Sequence, residues 1–166
     1  MADHVLNEGL SAATLRPLAV AAGTSDRMLL YYFADKDELL AATLERVAAR
    51  MIAALDDVIP PAPPQSFAAL LDQAWTALAS DKLRPFMPLW LDLAAGAARG
   101  LQPHRDIVGR IADGFLSWVT IRLLPEEDGR PSTGPLFMAV IEGSYLLSAL
   151  GRSSIGDAAI GLATTA

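Results

Sequence analysis

Apolar positions recur along this chain at spacings of three and four, the period of a helix face, and not at the spacing of two that marks a strand. The clearest run is Leu40, Leu44, Val47, Met51 and Leu55, with charges between them, and it predicts one long helix capped by Asp35. "PPAPP", residues 60–64, ends that helix, because proline cannot continue it. Three shorter pieces come first. Residues 1–8 form two turns closed by Gly9 as the C′ residue, and 15–22 form a helix with Thr14 as N-cap and Pro17 in its first turn. Gly23 ends the second piece, and Ser25 caps a third through "DRMLLYYF". Beyond the prolines, Ser66 caps "FAALLDQAWTALAS", Pro85 begins "PFMPLWLDLAAGAA", and Pro103 begins a run to about Leu124. "PEEDGRPSTG" reads as a loop, Pro135 leads "LFMAVIEGSYLLSAL", and Ser153 or Ser154 caps a last short helix. With no alternating pattern and no internal repeat, the expected fold is all-α: about nine helices, a small N-terminal trio followed by a larger bundle.

Composition narrows the class. At 166 residues the chain fits one domain of ordinary size, or one with a small appended module, and it can bury a core without staples. Its hydrophobic fraction of 52% leans on alanine and leucine, which favours helix. The absence of cysteine excludes disulfides and thiolate chemistry and suits a reducing cytoplasm. The N-terminus carries no signal-peptide pattern, and no apolar run reaches the roughly 18 residues of a membrane span, so a cytoplasmic location away from the membrane is expected.

Charge points the other way from nucleic acid. The net charge is -6, and phosphate backbones reward Lys and Arg. Any DNA-binding surface must therefore be a small basic patch on an acidic protein.

Residues 23–40, "GTSDRMLLYYFADKDELL", carry the most information. Two short helices joined by "AAGTS" have the form of a helix-turn-helix, whose second helix enters a DNA major groove. The glycine permits the sharp turn, and Ala19 is small enough for a close helix crossing. In that reading Leu29, Leu30 and Phe33 face the small core, Tyr31 and Tyr32 put hydroxyls near phosphates, and Lys36 is placed for a phosphate as well.

At residues 9–44, "GLSAATLRPLAVAAGTSDRMLLYYFADKDELLAATL", the sequence resembles the TetR family of bacterial transcriptional regulators, most specifically in "LLYYFADKDELL". The resemblance implies a homodimer with a DNA-binding domain at residues 1–45 and a helical ligand-binding and dimerisation domain at 46–166. It further implies a repressor released from its double-stranded operator when a small apolar effector binds. Carried over by position, Ser25, Asp26, Arg27 and Met28 meet base edges, while Thr14, Arg16, Tyr31, Tyr32 and Lys36 hold phosphates.

Two features depart from the family. Only eight residues, "MADHVLNE", precede Gly9, where the family has a first helix of about four turns and a basic arm; Val5 and Leu6 are its good apolar contributors. Residues 1–55 also hold five cations against seven acids, a net of -2. These point either to a shortened form of a longer regulator or to a protein with weak or no DNA binding. The alternative function is thus a small-molecule-binding helical dimer that does not bind DNA.

In the second half, Trp75, Phe86, Met87, Trp90, Phe115, Trp118, Phe137, Met138 and Tyr145 read either as the wall of an effector pocket or as bundle core. Asp92 and Glu142, acids inside apolar helices, read as anchors for an effector's polar group or as water-facing residues. Arg122 is expected at an exposed helix end, with pairing to such an acid as the alternative. Ala139, Gly143 and Leu147 on one helix, with Gly156, Ala159 and Ile160 on the last, form small-residue stripes suited to a two-fold four-helix interface, or to a contact within one chain. His4 and His104 lack a second ligand at helical spacing, so no metal site is expected. No Gly-rich phosphate loop, nucleophile elbow or acid–base–nucleophile set is present, so neither a cofactor nor an enzyme is expected.

Overall fold

A computed structural model of the chain describes residues 1–125 and 133–165. Among them are nine α-helices: α1 (Ala2–Glu8), α2 (Leu15–Ala21), α3 (Asp26–Tyr32), α4 (Lys36–Asp56), α5 (Phe67–Leu78), α6 (Phe86–Ala98), α7 (His104–Thr120), α8 (Gly134–Ala149) and α9 (Ser153–Thr165). A 3₁₀ turn at Leu10–Ala12 follows α1. The described residues contain no strand, only an isolated bridge between Gln65 and Leu123, so the fold is all-α. Most of the loop expected at 125–134 lies outside the described residues.

Helix starts follow side-chain chemistry. The Ser25 hydroxyl accepts from the Met28 N–H at 3.3 Å, and Ser66 does the same for Ala69 at 3.3 Å. At α4, Asp35 Oδ1 accepts from the Glu38 N–H at 2.8 Å while Glu38 Oε2 accepts from the Ala34 N–H at 2.5 Å, a reciprocal capping box. Thr14 has the extended backbone of an N-cap, but its hydroxyl makes no cap bond.

The helices divide into two compact units, Met1–Ala53 with Asp81–Ala112, and Ala54–Ser80 with Asp113–Ala166. The first is built on one apolar cluster. Ala2 and Val5 of α1, Leu18 and Ala19 of α2, Leu29 of α3, and Leu39, Leu44 and Val47 of α4 meet there. Leu89 and Leu93 of α6 and Ile107 of α7 complete it. A seven-residue α1 can serve this core because α6 and α7 supply the apolar surface that it does not; Val5 itself is fully buried. No local pattern signals that contribution, since residues 81–112 lie far along the chain from α1.

In the second unit α8 packs along α9, and α5 lies against both. Phe137 is fully buried, with Phe67 edge-on at 6.0 Å. A Cβ on Gly156 would stand 2.8 Å from the Ser144 carbonyl oxygen, so only glycine lets α9 come this close to the α8 backbone.

Arg122 corrects an expectation. It is not an exposed helix-end residue but only 2% exposed. Its guanidinium donates to Asp56 Oδ1 at 2.5 Å, to the Ile59 carbonyl at 2.9 Å and to the Trp118 carbonyl at 3.1 Å. It also lies 4.1 Å from the centre of the Trp118 ring, whose Nε1–H donates to the same Asp56 oxygen at 2.8 Å. Burial pulls the guanidinium pKa below its ordinary value, and Asp56 opposes that pull. The partner acid is thus Asp56, not Asp92 or Glu142.

Candidate nucleic-acid interface

The turn between α2 and α3 is set by one glycine. Gly23 has φ 65°, and its N–H donates to the Val20 carbonyl at 3.0 Å while the Thr24 N–H donates to Ala19 at 3.0 Å. This is the Schellman closure, which requires the left-handed conformation at that point. The backbone then reverses into α3, and Ala19, 1% exposed, lets the two helices pack.

Leu29 fixes which way α3 faces. It is buried, and at about 100° per residue Arg27 and Tyr31 both lie about 160° round the helix from it. Arg27 is exposed, and Tyr31 and Tyr32 are 78% and 71% exposed, their rings edge-on at 5.3 Å. Two expectations change. Leu30 does not face the core: a helix turns it about 100° from Leu29, and it is exposed. Asp26 is half-buried on the inner flank, away from the outward centre of the helix. Phe33 packs on the core, as expected.

The charge balance also becomes local. Asp3 is ion-paired with Arg50, which holds its carboxyl below the ordinary range, and Glu45 pairs with Arg110 at 2.7 Å. Asp35 and Glu38 are engaged in the capping box. Between Thr14 and Lys36 the charged residues are Arg16, Arg27 and Lys36 against Asp26 and Asp35. All three cations are exposed, and Thr14 is exposed with them. From α2 through α3 to Lys36 the cations exceed the acids by one, and the exposed acids Asp37 and Glu38 follow at the start of α4. The exposed cations can donate hydrogen bonds to phosphates or base edges.

The remaining candidates fall into separate groups. Phe86 and Trp90 pack against the core of the first unit, while Met87 is buried and Asp92 exposed on α6. In the second unit Phe115 stacks on Trp118 at 5.6 Å, both buried, and Trp75 donates to Asp157 at 3.2 Å. Met138 and Tyr145 are half-buried on α8, and Glu142 between them is exposed. Partial burial still pushes the Glu142 carboxyl and the Tyr145 phenol above their ordinary values.

That direction gives a testable sign. The folded chain holds the Glu142 proton to a higher pH than the unfolded chain does, so stability falls as pH rises through the window above the ordinary Glu value. Glu142→Gln is expected to raise Tm at pH 7, an advantage that shrinks towards pH 4 in parallel melts. An equal gain at both pH values would contradict this.

Of the interface stripe, Gly156 and Ile160 are buried within the chain, with Gly156 directly against the α8 backbone. Small residues at helical spacing suit any close helix crossing, and here the partner is α8 of the same chain. Ala159 and Leu147 are half-buried, while Ala139 and Gly143 are exposed.

Among the described residues no cluster of three or more His, Asp or Glu could hold a metal ion, and no helix is long and apolar enough to cross a membrane. Neither the curated proteins nor the solved structures give a match to the chain. The family model of bacterial regulatory proteins, tetR family, matches residues 4–43, which run from α1 through the helix-turn-helix into α4. Members of that family are regulators and not enzymes. The match covers about a quarter of the chain; it supports membership of the tetR family and gives residues 4–43 as a DNA-binding segment of the kind found in TetR-type transcriptional regulators.

Proposed function

We propose that the protein is a homodimeric repressor, released from its operator when a small apolar molecule binds. Residues 1–45 act as the reading head, and 46–166 bind the effector and form the dimer. The observation that carries the reading is the outward face of α3, where Arg27 and Tyr31 stand exposed opposite buried Leu29. Arg16, Lys36, Thr14 and Tyr32 hold phosphates on either side and fix register. The effector sits against the half-buried Met138 and Tyr145 of α8, with Glu142 beside them for a polar group. It shifts the dimer towards a geometry whose two recognition helices no longer match major grooves about 34 Å apart. It does so only to the extent that it binds that geometry more tightly.

The test is a set of small apolar compounds first chosen by the rise they cause in Tm, then added to a preformed protein–DNA complex. Compounds that stabilise the chain should lower its DNA affinity by roughly tenfold or more, a coupling of about 1.4 kcal/mol. Stabilising compounds that leave DNA affinity unchanged would overturn effector release. A small-molecule-binding dimer without DNA function remains the second reading, favoured by the excess of acids over cations in residues 1–55. It predicts the Tm shifts but no operator binding at any salt concentration.

A further inference from the structure

The outward face of α3 also restricts what kind of DNA sequence can be read, an inference that rests on the helix-turn-helix reading above. A base edge in the major groove is recognised by hydrogen-bonding side chains and by apolar groups that meet the thymine methyl. On α3 the polar choices are few. The Ser25 hydroxyl oxygen is engaged as acceptor at the N-cap, 3.3 Å from the Met28 nitrogen. Asp26 is half-buried on the inner flank. The outward centre holds Arg27 and, one turn on, Tyr31, with Met28 and Leu30 exposed at about 100° from Leu29 on either side. Arg27 has no acid partner among the described residues, and the face carries no Asn, Gln or Glu.

We infer that Arg27 is the specificity-determining residue of the reading head, selecting a guanine in each operator half-site, with Met28 and Leu30 favouring neighbouring T·A pairs. The chemistry follows from the donors present. A guanidinium has five N–H donors and no acceptor, so it matches the O6 and N7 acceptors of guanine through two parallel bonds. Adenine offers N7 beside an amino donor, which Arg27 cannot satisfy, and cytosine offers a donor alone. The side chains best suited to adenine, Asn and Gln, are missing from the face. The two apolar neighbours have nothing to donate and can only gain by covering a C5-methyl group.

The experiment is selection from random duplex DNA by the full chain, by Arg27→Ala and by Lys36→Ala, followed by affinity measurements on the selected site. The wild-type protein should enrich half-sites with a fixed guanine next to thymine. Replacing that guanine by 7-deazaguanine, which removes only N7, should weaken wild-type binding by roughly tenfold or more and leave Arg27→Ala unaffected. Replacing the adjacent thymine by uracil should weaken binding less, through loss of one methyl. Lys36→Ala should select the same sequence with uniformly lower affinity and a salt slope smaller by about one, because its contact is to a phosphate. A selected site whose guanine tolerates 7-deaza substitution, or which Arg27→Ala selects unchanged, would overturn the assignment while leaving a DNA-binding regulator in place. If nothing is enriched by the folded wild-type chain, the helix-turn-helix reading fails, and this inference fails with it.

Discussion

Leu146→Glu should turn a dimer into a monomer and lower operator affinity at least about a hundredfold. Apolar residues occur all round α8. Phe137, Ile141 and Ser144 face the core of the second unit. On the other side Leu136, Ala139, Gly143, Leu146 and Leu150 are exposed, at successive spacings of three and four. On α9, Ile155 and Leu162 are exposed as well. That spacing suits the seam of a helix–helix contact, and an exposed apolar stripe of this length is the surface expected of an interface. Gly143 adds room, since nothing lies within 4 Å of the position its Cβ would take. In a two-fold interface one substitution enters twice, placing two carboxylates in a desolvated seam without partners, a cost of several kcal/mol. A monomer holds only one reading head, so it loses the gain of binding two half-sites at once. Analytical ultracentrifugation, with DNA titration alongside, checks this. A variant that still sediments as a dimer would place the interface elsewhere on the chain.

The second large effect concerns the fold. Arg122→Ala is expected to destabilise the protein by about 3 kcal/mol, which for a chain of this length lowers Tm by about 6–12 °C. Loss of the side chain leaves the carbonyls of Ile59 and Trp118 without their guanidinium donors and opens space beneath the Trp118 ring. Asp56 keeps access to water, being half-exposed, so little of the loss comes from that carboxylate. Arg122→Lys should recover only a small part, because an ammonium cannot reach three acceptors in one plane. Urea unfolding of the three proteins measures this. A loss below about 1 kcal/mol for the alanine variant would show that the buried guanidinium contributes little net stability, as some buried ion pairs do.

These two features differ in how far the sequence disclosed them. Helix boundaries were legible because they rest on local chemistry: Ser25, Ser66 and the Asp35–Glu38 pair act within four residues of where they stand. The helix-turn-helix was legible for the same reason, since Gly23 and Ala19 fix it within one turn. Tertiary partners were not. Nothing in "SWVTIRLL" points to Asp56, which lies 66 residues earlier. As pocket or bundle-core candidates Phe86 and Trp90 give no sign that they pack beside α1–α4, a contact that no local pattern encodes. Gly156 and Ile160 show the limit of a small-residue stripe, which records a close crossing but not whose helix is crossed. Leu30 shows another: two adjacent leucines cannot both face one core from the same helix. The charge total of residues 1–55 carries no sign that Asp3 and Glu45 are ion-paired with Arg50 and Arg110.

The proposed function requires this chain to bind a specific DNA sequence as a dimer. Its most direct test is fluorescence anisotropy of the full chain against DNA from upstream of its own gene, with excess nonspecific competitor and at two salt concentrations. Saturable, competitor-resistant binding with two chains per duplex is expected, weaker at the higher salt concentration. A folded chain that shows no binding, or binding that the competitor abolishes at both salt concentrations, would contradict it.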